Sequence, residues 1–345
     1  MKRFKQVILL LTRKCNLNCA YCYVSGQYIS ESITRNIIDY TIDALDNSMD
    51  NEASTLQISG GEPLLFPESF FYAVKKTKEI RPKTVIKLQT NATLVDNSIA
   101  KFIKENNVKV SVSMDSIPEI NDGIRGMSSC VIKGIEKFRE YDIRINLTTV
   151  ITLKNVCYLE KLAAMAVSLE NIGSISFDLL RKPLNNTDCY KILMPDIDLF
   201  KEHYKKAYWI LKGSRFFGAD VIMNDMLISS TRVRSKKNGN PYYCWSAMGD
   251  SITVTPEGDV FSCPSLIYDK SAFMGRITNR EALIRRPSRS VEDLLDCKEC
   301  EAKYICRGGC PSRAYLESGS NFSISEFECS YRKYIYKNFL EKETA

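Results

Sequence analysis

Cys15, Cys19 and Cys22 stand at a C-x3-C-x2-C spacing in Cys15-Asn16-Leu17-Asn18-Cys19-Ala20-Tyr21-Cys22, close behind the apolar run Val7 to Leu11. A tetrahedral zinc site wants four ligands, and no fourth cysteine or histidine follows for over a hundred residues. A cubane [4Fe–4S] cluster held by three thiolates instead leaves one iron open to a small molecule. Buried or zinc-binding cysteines are the plainer alternative. A second set has its own spacing: Cys244, then Gly258 and Cys263, then Cys297-x2-Cys300-x5-Cys306-x3-Cys310, and finally Cys329. Zinc ribbons also use C-x2-C pairs, so Cys297 to Cys310 taken alone leaves zinc open.

Composition narrows the choice. Thirteen cysteines accompany a single histidine, His203, so any metal sites are sulfur sites. Soft thiolate-only ligation points to iron–sulfur clusters or zinc. The hydrophobic fraction of 44% and charged fraction of 26% are those of a soluble globular protein. No run approaches the roughly 18 apolar residues of a membrane span, and Met1-Lys2-Arg3-Phe4-Lys5 lacks a signal-peptide core. A cytoplasmic, reducing location is the expectation, with no membrane partner, and it favours metal sites over disulfides. At 345 residues the chain is long enough for one large core and a smaller module.

The elements that must position these cysteines alternate in kind. After the strand Val7–Leu11, residues Ile33, Ile37, Ile38, Thr41 and Leu45 have helical spacing, and Thr55 to Ser59 reads as a short buried strand. Phe70 to Ile80 is a helix stopped by Pro82, Val85 to Gln89 a strand, Ser98 to Glu105 a helix, and Val108 to Ser113 a strand. Val131, Ile132, Ile135 and Phe138 mark the next helix, Arg144 to Val150 the fifth strand, Leu159 to Leu169 a helix, and Ile175 to Asp178 the sixth strand. Six such repeats predict a parallel sheet with helices outside. Helix Pro195 to Lys212 finishes this region, 213–240 reads as a bridge, and Pro256-Glu257-Gly258-Asp259 reads as the turn of a β-hairpin.

Several polar motifs fall at strand ends. Gly60-Gly61-Glu62-Pro63 follows the second strand: two glycines let the backbone approach a ligand, and a carboxylate can take an ammonium group. Thr90-Asn91-Ala92-Thr93 ends the third strand, Ser113-Met114-Asp115-Ser116 the fourth, and Asn121-Asp122-Gly123-Ile124-Arg125-Gly126 comes next. With the three-cysteine loop, these resemble the radical S-adenosylmethionine (SAM) enzymes, whose open iron is chelated by SAM. The resemblance implies an α/β fold, a partial (β/α)6 TIM-like barrel over residues 1–212, open on one side, with chemistry at the carboxyl ends of strands. It implies that Gly60, Gly61, Glu62 and Pro63 hold the SAM amino group and that Asn91 lies in the TNG-type segment. It also implies that Ser113 and Arg125 reach the ribose or carboxylate and that Tyr21 packs against the adenine. Ser116 and Asn121 stand where Gly and His are commoner.

The C-terminal cysteines resemble the SPASM pattern of radical SAM enzymes with two auxiliary clusters, which places that module at 241–345. Carried over, Cys297, Cys300, Cys306 and Cys329 ligate one [4Fe–4S] cluster, while Cys244, Cys263 and Cys310 hold another, making three with the SAM-binding cluster at Cys15, Cys19 and Cys22. The cluster at Cys244, Cys263 and Cys310 has an open iron unless Cys189, more simply a structural residue, supplies the fourth ligand. Counting cluster thiolates lowers the formal charge from +7 to roughly +3, too little to argue for a nucleic-acid partner. Cys130 and Cys157 are expected as small buried apolar residues, and His203 as a surface or packing residue. Asp178 either faces the substrate or caps the following loop.

The resemblance implies reductive cleavage of SAM to a 5′-deoxyadenosyl radical, which abstracts hydrogen from substrate. It implies electrons from a donor such as ferredoxin or flavodoxin. Relatives with this module mostly modify ribosomally made peptides, and a peptide crosslink (thioether or C–C) is the leading expectation, with the leader bound by a separate leader-binding protein or by another surface of this chain. Maturation of a small-molecule cofactor is second. Sulfatase maturation is third, because such enzymes usually carry an aspartate base straight after the second module cysteine, where this chain has Pro264. An electron carrier or zinc-stabilised scaffold is a different class, and it would need neither an open iron nor a SAM pocket.

Overall fold

The computed structural model describes residues 3–22, 32–46, 53–183, 187–224, 240–284 and 288–340. In chain order its strands are β1 Gln6–Leu10, β2 Thr55–Ser59, β3 Val85–Thr90, β4 Lys109–Ser113, β5 Ile145–Ile151, β6 Ile172–Leu179, β7 Ile222–Met223, β8 Ser251–Val254, β9 Asp259–Phe261 and β10 Phe273–Arg276. The main helices are α1 Arg35–Asp43, α2 Pro67–Ile80, α3 Asn97–Glu105, α4 Pro118–Asp122, α5 Ser128–Glu140, α6 Leu159–Ser168, α7 Thr187–Leu193 and α8 Ile197–Ser214. The chain forms two compact units. One comprises Met1–Met114, Arg125–Asn146 and Gly249–Pro287, the other Asp115–Ile124, Leu147–Met248 and Ser288–Ala345.

In the first unit β1 to β4 are parallel, with Leu9 beside Ile58, Ile58 beside Leu88 and Leu88 beside Val110. Their apolar side chains are almost wholly buried, as parallel strands covered on both faces require. The other edge of β1 carries β8 in parallel, and β8, β9 and β10 continue as antiparallel neighbours. The expected hairpin around Pro256–Asp259 is therefore formed, and it lies in the unit that holds β1. Helix starts follow local chemistry. Thr34 caps α1 by accepting from Ile37 N–H, and Asp96 caps α3 by accepting from Ile99 N–H at 2.8 Å. Ile33 and Ile38, both buried, occupy the positions of a hydrophobic staple.

One glycine sets how closely α5 can approach. A Cβ at Gly134 would lie 2.1 Å from the Ala92 carbonyl oxygen. Glycine costs helix stability of about 1 kcal/mol against alanine, and here it lets α5 pack on the turn that carries Asn91.

In the second unit β5, β6 and β7 lie side by side, with β6 and β7 parallel. Phe200, Tyr204, Ala207 and Leu211 form the buried face of α8, and Leu159, Leu162 and Ala166 that of α6. Tyr331 of the helix Glu326–Ile335 packs on Phe200 with ring centroids 4.8 Å apart. His203 Nδ1 lies 2.7 Å from Glu160 Oε2, a pairing of α8 with α6 that makes it a packing residue. Two cysteines depart from expectation. Cys130 is half-buried, and Cys157 is exposed because Val156, not Cys157, takes the inward position in its 3-10 turn.

Candidate functional site

The three-cysteine loop is fixed by a parallel ladder that outruns its strands. Beyond β1 and β2, Leu11 N–H donates to Ser59 O at 2.9 Å, Gly61 N–H to Thr12 O at 2.8 Å, and Glu62 N–H to Lys14 O at 2.8 Å. This pairing delivers the chain directly into Cys15. Both glycines serve it. A Cβ at Gly61 would lie 2.1 Å from Lys14 O, and at Gly60 (φ +152°) 2.5 Å from Thr12 O. Both glycines thus let the backbone come close to the cysteine loop.

Glu62 is buried at 1% exposure. Its Oε1 accepts from Leu64 N–H at 3.0 Å and from the Thr90 hydroxyl at 2.8 Å; its Oε2 accepts from Asn91 N–H at 2.7 Å. The carboxylate therefore ties the end of β2 to the end of β3. A carboxylate has about four acceptor positions, so these three bonds leave capacity for one more donor. Burial pushes the Glu62 carboxyl above its ordinary range, although the donors from Asn91, Leu64 and Thr90 and the charge of Arg125 pull it down. An added cation would relieve that burial cost, which fits the ammonium of SAM. Pro63, next in the chain, begins a single buried 3-10 turn, Pro63–Leu65.

Amide side chains complete the frame. Asn91 Nδ2 donates to Asn16 Oδ1 at 2.9 Å and lies 3.9 Å from Cys15 Sγ. Asn16 Nδ2 donates to Thr93 Oγ1 at 2.8 Å, and the Thr93 N–H and hydroxyl return to Asn91 Oδ1. Leu17 N–H points at Cys15 Sγ from 3.4 Å. The Tyr21 hydroxyl accepts from Arg125 Nη1, joining two residues that the family resemblance places at SAM. Ser113 Oγ accepts from Gln89 Nε2 at 2.8 Å. Cys15 is exposed, and Cys19 and Cys22 are half-buried. Three thiols on one anchored loop, beside a buried carboxylate, suit a cluster with an open iron and its SAM ligand.

In the second unit Asp115 is buried, its Oδ1 accepting from Val150 N–H at 2.9 Å and its own N–H donating to Asn121 Oδ1 at 2.9 Å. Asn121, where histidine is commoner in the resembled motif, thus holds the turn after β4.

The C-terminal cysteines divide into two surroundings. Cys297, Cys300, Cys306 and Cys329 line one cavity, with about 440 Å3 of space free of protein atoms, mouth included. Four thiols facing one space are the donor set a fully ligated iron–sulfur cluster needs. Burial pushes the Cys297 and Cys329 thiols up, and that of Cys306 up to about 11. Cys310 lies instead among charged groups. Its N–H donates to Glu328 Oε2 at 3.0 Å, and its Sγ lies 3.5 Å from Arg181 Nη1 and 3.2 Å from Ser312 Oγ. Burial would raise this thiol, but Arg181 and Arg313 outweigh it and hold it below the ordinary thiol range.

Glu328 sits at the centre, with Oε2 2.7 Å from Arg313 Nη1 and Oε1 2.7 Å from Arg332 Nη2. Arg313 continues to Asp178 Oδ1 at 3.0 Å, and Arg181 Nη2 pairs with Asp178 at 3.1 Å. Asp178, read from sequence as facing substrate or capping a loop, is a counterion for two arginines. Arg289 braces the same turn through the Gly308, Gly309 and Ser323 carbonyls. Cys244 begins the turn into the helix Trp245–Met248 of this unit, whereas Cys263 belongs to the first unit and starts the 3-10 turn Pro264–Leu266. The Cys189 side chain lies outside the described residues.

The sequence does not single out Asn16, Arg181, Arg313 or Glu328, while Thr90 and Thr93 lie within the strand-end motif around Asn91. Adjacency was the available signal, since Asn16 follows Cys15 and Glu328 precedes Cys329.

Comparison with known proteins fits this geometry. The profile of the Radical SAM superfamily matches residues 9–166. An uncharacterized protein of Methanocaldococcus jannaschii is 34% identical over 273 residues, covering 76% of this chain and 85% of that one. A cysteine-type anaerobic sulfatase-maturating enzyme of Clostridium perfringens is 28% identical over 371 residues, covering 95% of this chain and 92% of that enzyme. The solved structure of native anSMEcpe with bound AdoMet and Cp18Cys peptide shares the fold, with a TM-score of 0.75 at 21% identity over 98% of this chain and 97% of that one. The α/β fold with a parallel sheet and a cysteine-rich C-terminal region is therefore that of a partial TIM-like radical SAM barrel. No helix among the described residues is long and apolar enough to cross a membrane. By profile and by relatives, this chain belongs to the radical SAM superfamily.

Proposed function

We propose that the chain is a radical SAM enzyme that modifies a peptide side chain, with bond formation between residues as the outcome. The observation that carries the reading is the pairing of an anchored three-cysteine loop with a separate four-cysteine cavity. Cys15, Cys19 and Cys22 hold the SAM-binding [4Fe–4S] cluster. Cys297, Cys300, Cys306 and Cys329 hold a second, and Cys244 and Cys310, both in the second unit, serve a third. When bound, these groups supply one-electron cleavage of SAM and hydrogen abstraction from substrate, with electrons from a ferredoxin- or flavodoxin-type donor. The chain's own work is placement. Glu62 and the Gly60–Gly61 backbone receive the SAM ammonium group, Arg125 and Ser113 its carboxylate or ribose, and Asn91 keeps the cysteine loop in register. A peptide substrate is supported by the fold shared with a maturase whose solved complex contains one.

The second reading, sulfatase maturation, is favoured by the full-length similarity to the Clostridium perfringens enzyme. Pro264 counts against it, since proline directly after Cys263 offers no carboxylate base.

The test is anaerobic. The full chain is reconstituted, iron and sulfide are counted, and SAM with a low-potential reductant is added while 5′-deoxyadenosine is measured. About twelve irons per chain with SAM cleavage is the expected result. About four irons with zinc elsewhere would remove the auxiliary clusters, and zinc throughout without cleavage would overturn the reading. Conversion of a cysteine-containing sulfatase peptide to formylglycine would select the second reading.

A further inference from the structure

Arg181 lies two residues beyond β6 with its guanidinium held in place from two sides. Nη2 is 3.1 and 3.3 Å from the Asp178 carboxylate oxygens, and Nη1 is 3.3 Å from Ser312 Oγ and 3.5 Å from Cys310 Sγ. Asp178 is itself fixed by Arg313, which also donates to the Leu179 carbonyl at 3.0 Å. Cys310 is held from its backbone, because Glu328 accepts its N–H at 3.0 Å. Donor and sulfur are thus positioned by one connected network, since Arg313 bonds both Asp178 and Glu328 and Ser312 Oγ contacts both Arg181 and Cys310, and a cationic N–H faces a buried thiol.

Hydrogen bonds to ligating sulfur, together with local charge and burial, set the reduction potential of an iron–sulfur cluster. A cation that donates to a thiolate draws electron density from it and favours the reduced cluster. We propose that Arg181 is a positioning residue that raises the reduction potential of the cluster held through Cys310, separating it from the cluster in the four-cysteine cavity. This rests on the assignment of Cys310 as a cluster ligand.

The experiment is a redox titration of the anaerobically reconstituted full chain, followed by electron paramagnetic resonance of the reduced clusters. Arg181→Gln is expected to keep its iron and sulfide and to lower the midpoint of one cluster, while the other two stay where they were. At fixed potential the reduced-to-oxidised ratio of that cluster should fall about tenfold, which is about 59 mV for a one-electron couple. Arg181→Lys, keeping the charge and losing the fork, should fall by less. Unchanged midpoints in Arg181→Gln, or equal shifts of all three clusters, overturn the proposal. Should Arg181→Gln shed iron, Arg181→Lys decides: a lowered midpoint supports the proposal and an unchanged one overturns it. Cys310→Ala separates the underlying assignment. If that variant retains every signal and the full iron content, Cys310 is not a ligand, and assignment and proposal fall together. If it loses one signal, only the Arg181 midpoints bear on the proposal.

Discussion

The two cysteine regions are held by opposite physics. Around Cys15 the anchoring is by hydrogen bonds to backbone, amide and hydroxyl groups: a ladder from Leu11 to Lys14, bonds among Asn16, Asn91 and Thr93, and the Glu62 carboxylate accepting from Leu64, Thr90 and Asn91. Around Cys310 it is ionic, with Glu328 and Asp178 threaded between Arg313, Arg332 and Arg181. The difference follows from what each region has to build on. Parallel strands supply a rigid backbone, and their hydrogen bonds simply continue into the loop. Cys310 stands at the head of the helix Pro311–Ser318 and Glu328 on the helix Glu326–Ile335, so side chains must join one helix to the other, and a buried carboxylate shared by two arginines fixes geometry firmly. Such a network adds little when whole and costs much when cut.

Cutting it is the largest effect expected. Glu328 is 1% exposed, and Glu328→Gln leaves Arg313 and Arg332 facing an uncharged amide. Breaking a buried pair by removing one partner costs about 3–5 kcal/mol. Denaturant melts of the anaerobically purified chain should show a loss of that size, with iron falling by about four or more per chain. A loss under about 1 kcal/mol would mean that the ionic network does not hold the C-terminal region, and the contrast would fail.

Second is Gly61→Ala. The added Cβ meets main-chain atoms, Lys14 O at 2.1 Å, so relief requires the ladder itself to move. Overpacking of this kind costs about 1–3 kcal/mol. The expected signature is selective: loss of the SAM-cleaving cluster and of 5′-deoxyadenosine, with the C-terminal clusters retained. Equal loss of all clusters would show that the two regions are not independently built.

Legibility in the sequence follows the same divide. The six repeats were readable because their apolar residues sit at strand and helix periods, and the observed β2 coincides with the expected Thr55 to Ser59. β6 begins at Ile172, earlier than the expected Ile175, because Gly173 and Ser174 break the apolar pattern without breaking the pairing. α4, five residues long, and β7, two residues long, are too short for periodicity to register. The strand-end motifs announced where the site lies, but not that Gly60 and Gly61 serve the cysteine loop's own backbone. Of the ionic network only the local pairs carried a signal, Glu328 with Arg332 four residues on and Asp178 with Arg181 three residues on. Arg313 and Asp178 are 135 residues apart, and no periodicity links a charge in one element to its partner in another.

Third is Asn91→Ala. It removes neutral bonds to Asn16 and Thr93, each worth about 0.5–1.5 kcal/mol, while the Glu62 bond to the residue 91 N–H survives. Global stability should drop by about 1–2 kcal/mol. The sharper readout is SAM affinity, which should weaken several-fold with iron content unchanged. A cycle with Asn16→Ala should show coupling, because the two side chains bond directly at 2.9 Å.

The smallest effect tests the comparison from the other side, since the first region has an ion pair of its own. Arg13, two residues before Cys15, reaches Glu257 Oε2 at 3.0 Å, and its guanidinium lies 5.2 Å from the Tyr268 ring centroid. The Glu257 side chain is 41% exposed, so water screens the pair, and such pairs contribute about 0.2–1 kcal/mol. Glu257→Gln should therefore leave iron content, SAM affinity and 5′-deoxyadenosine yield at the unmutated level, with a stability change at the edge of detection. Raising the salt concentration in the unmutated chain should mimic it. If Glu257→Gln instead stripped iron from Cys15, Cys19 and Cys22, charge would matter as much there as at Cys310. The distinction would then lie in how deeply each ion pair is buried, since the Glu328 pairs are almost wholly shielded from solvent and the Glu257 pair is not.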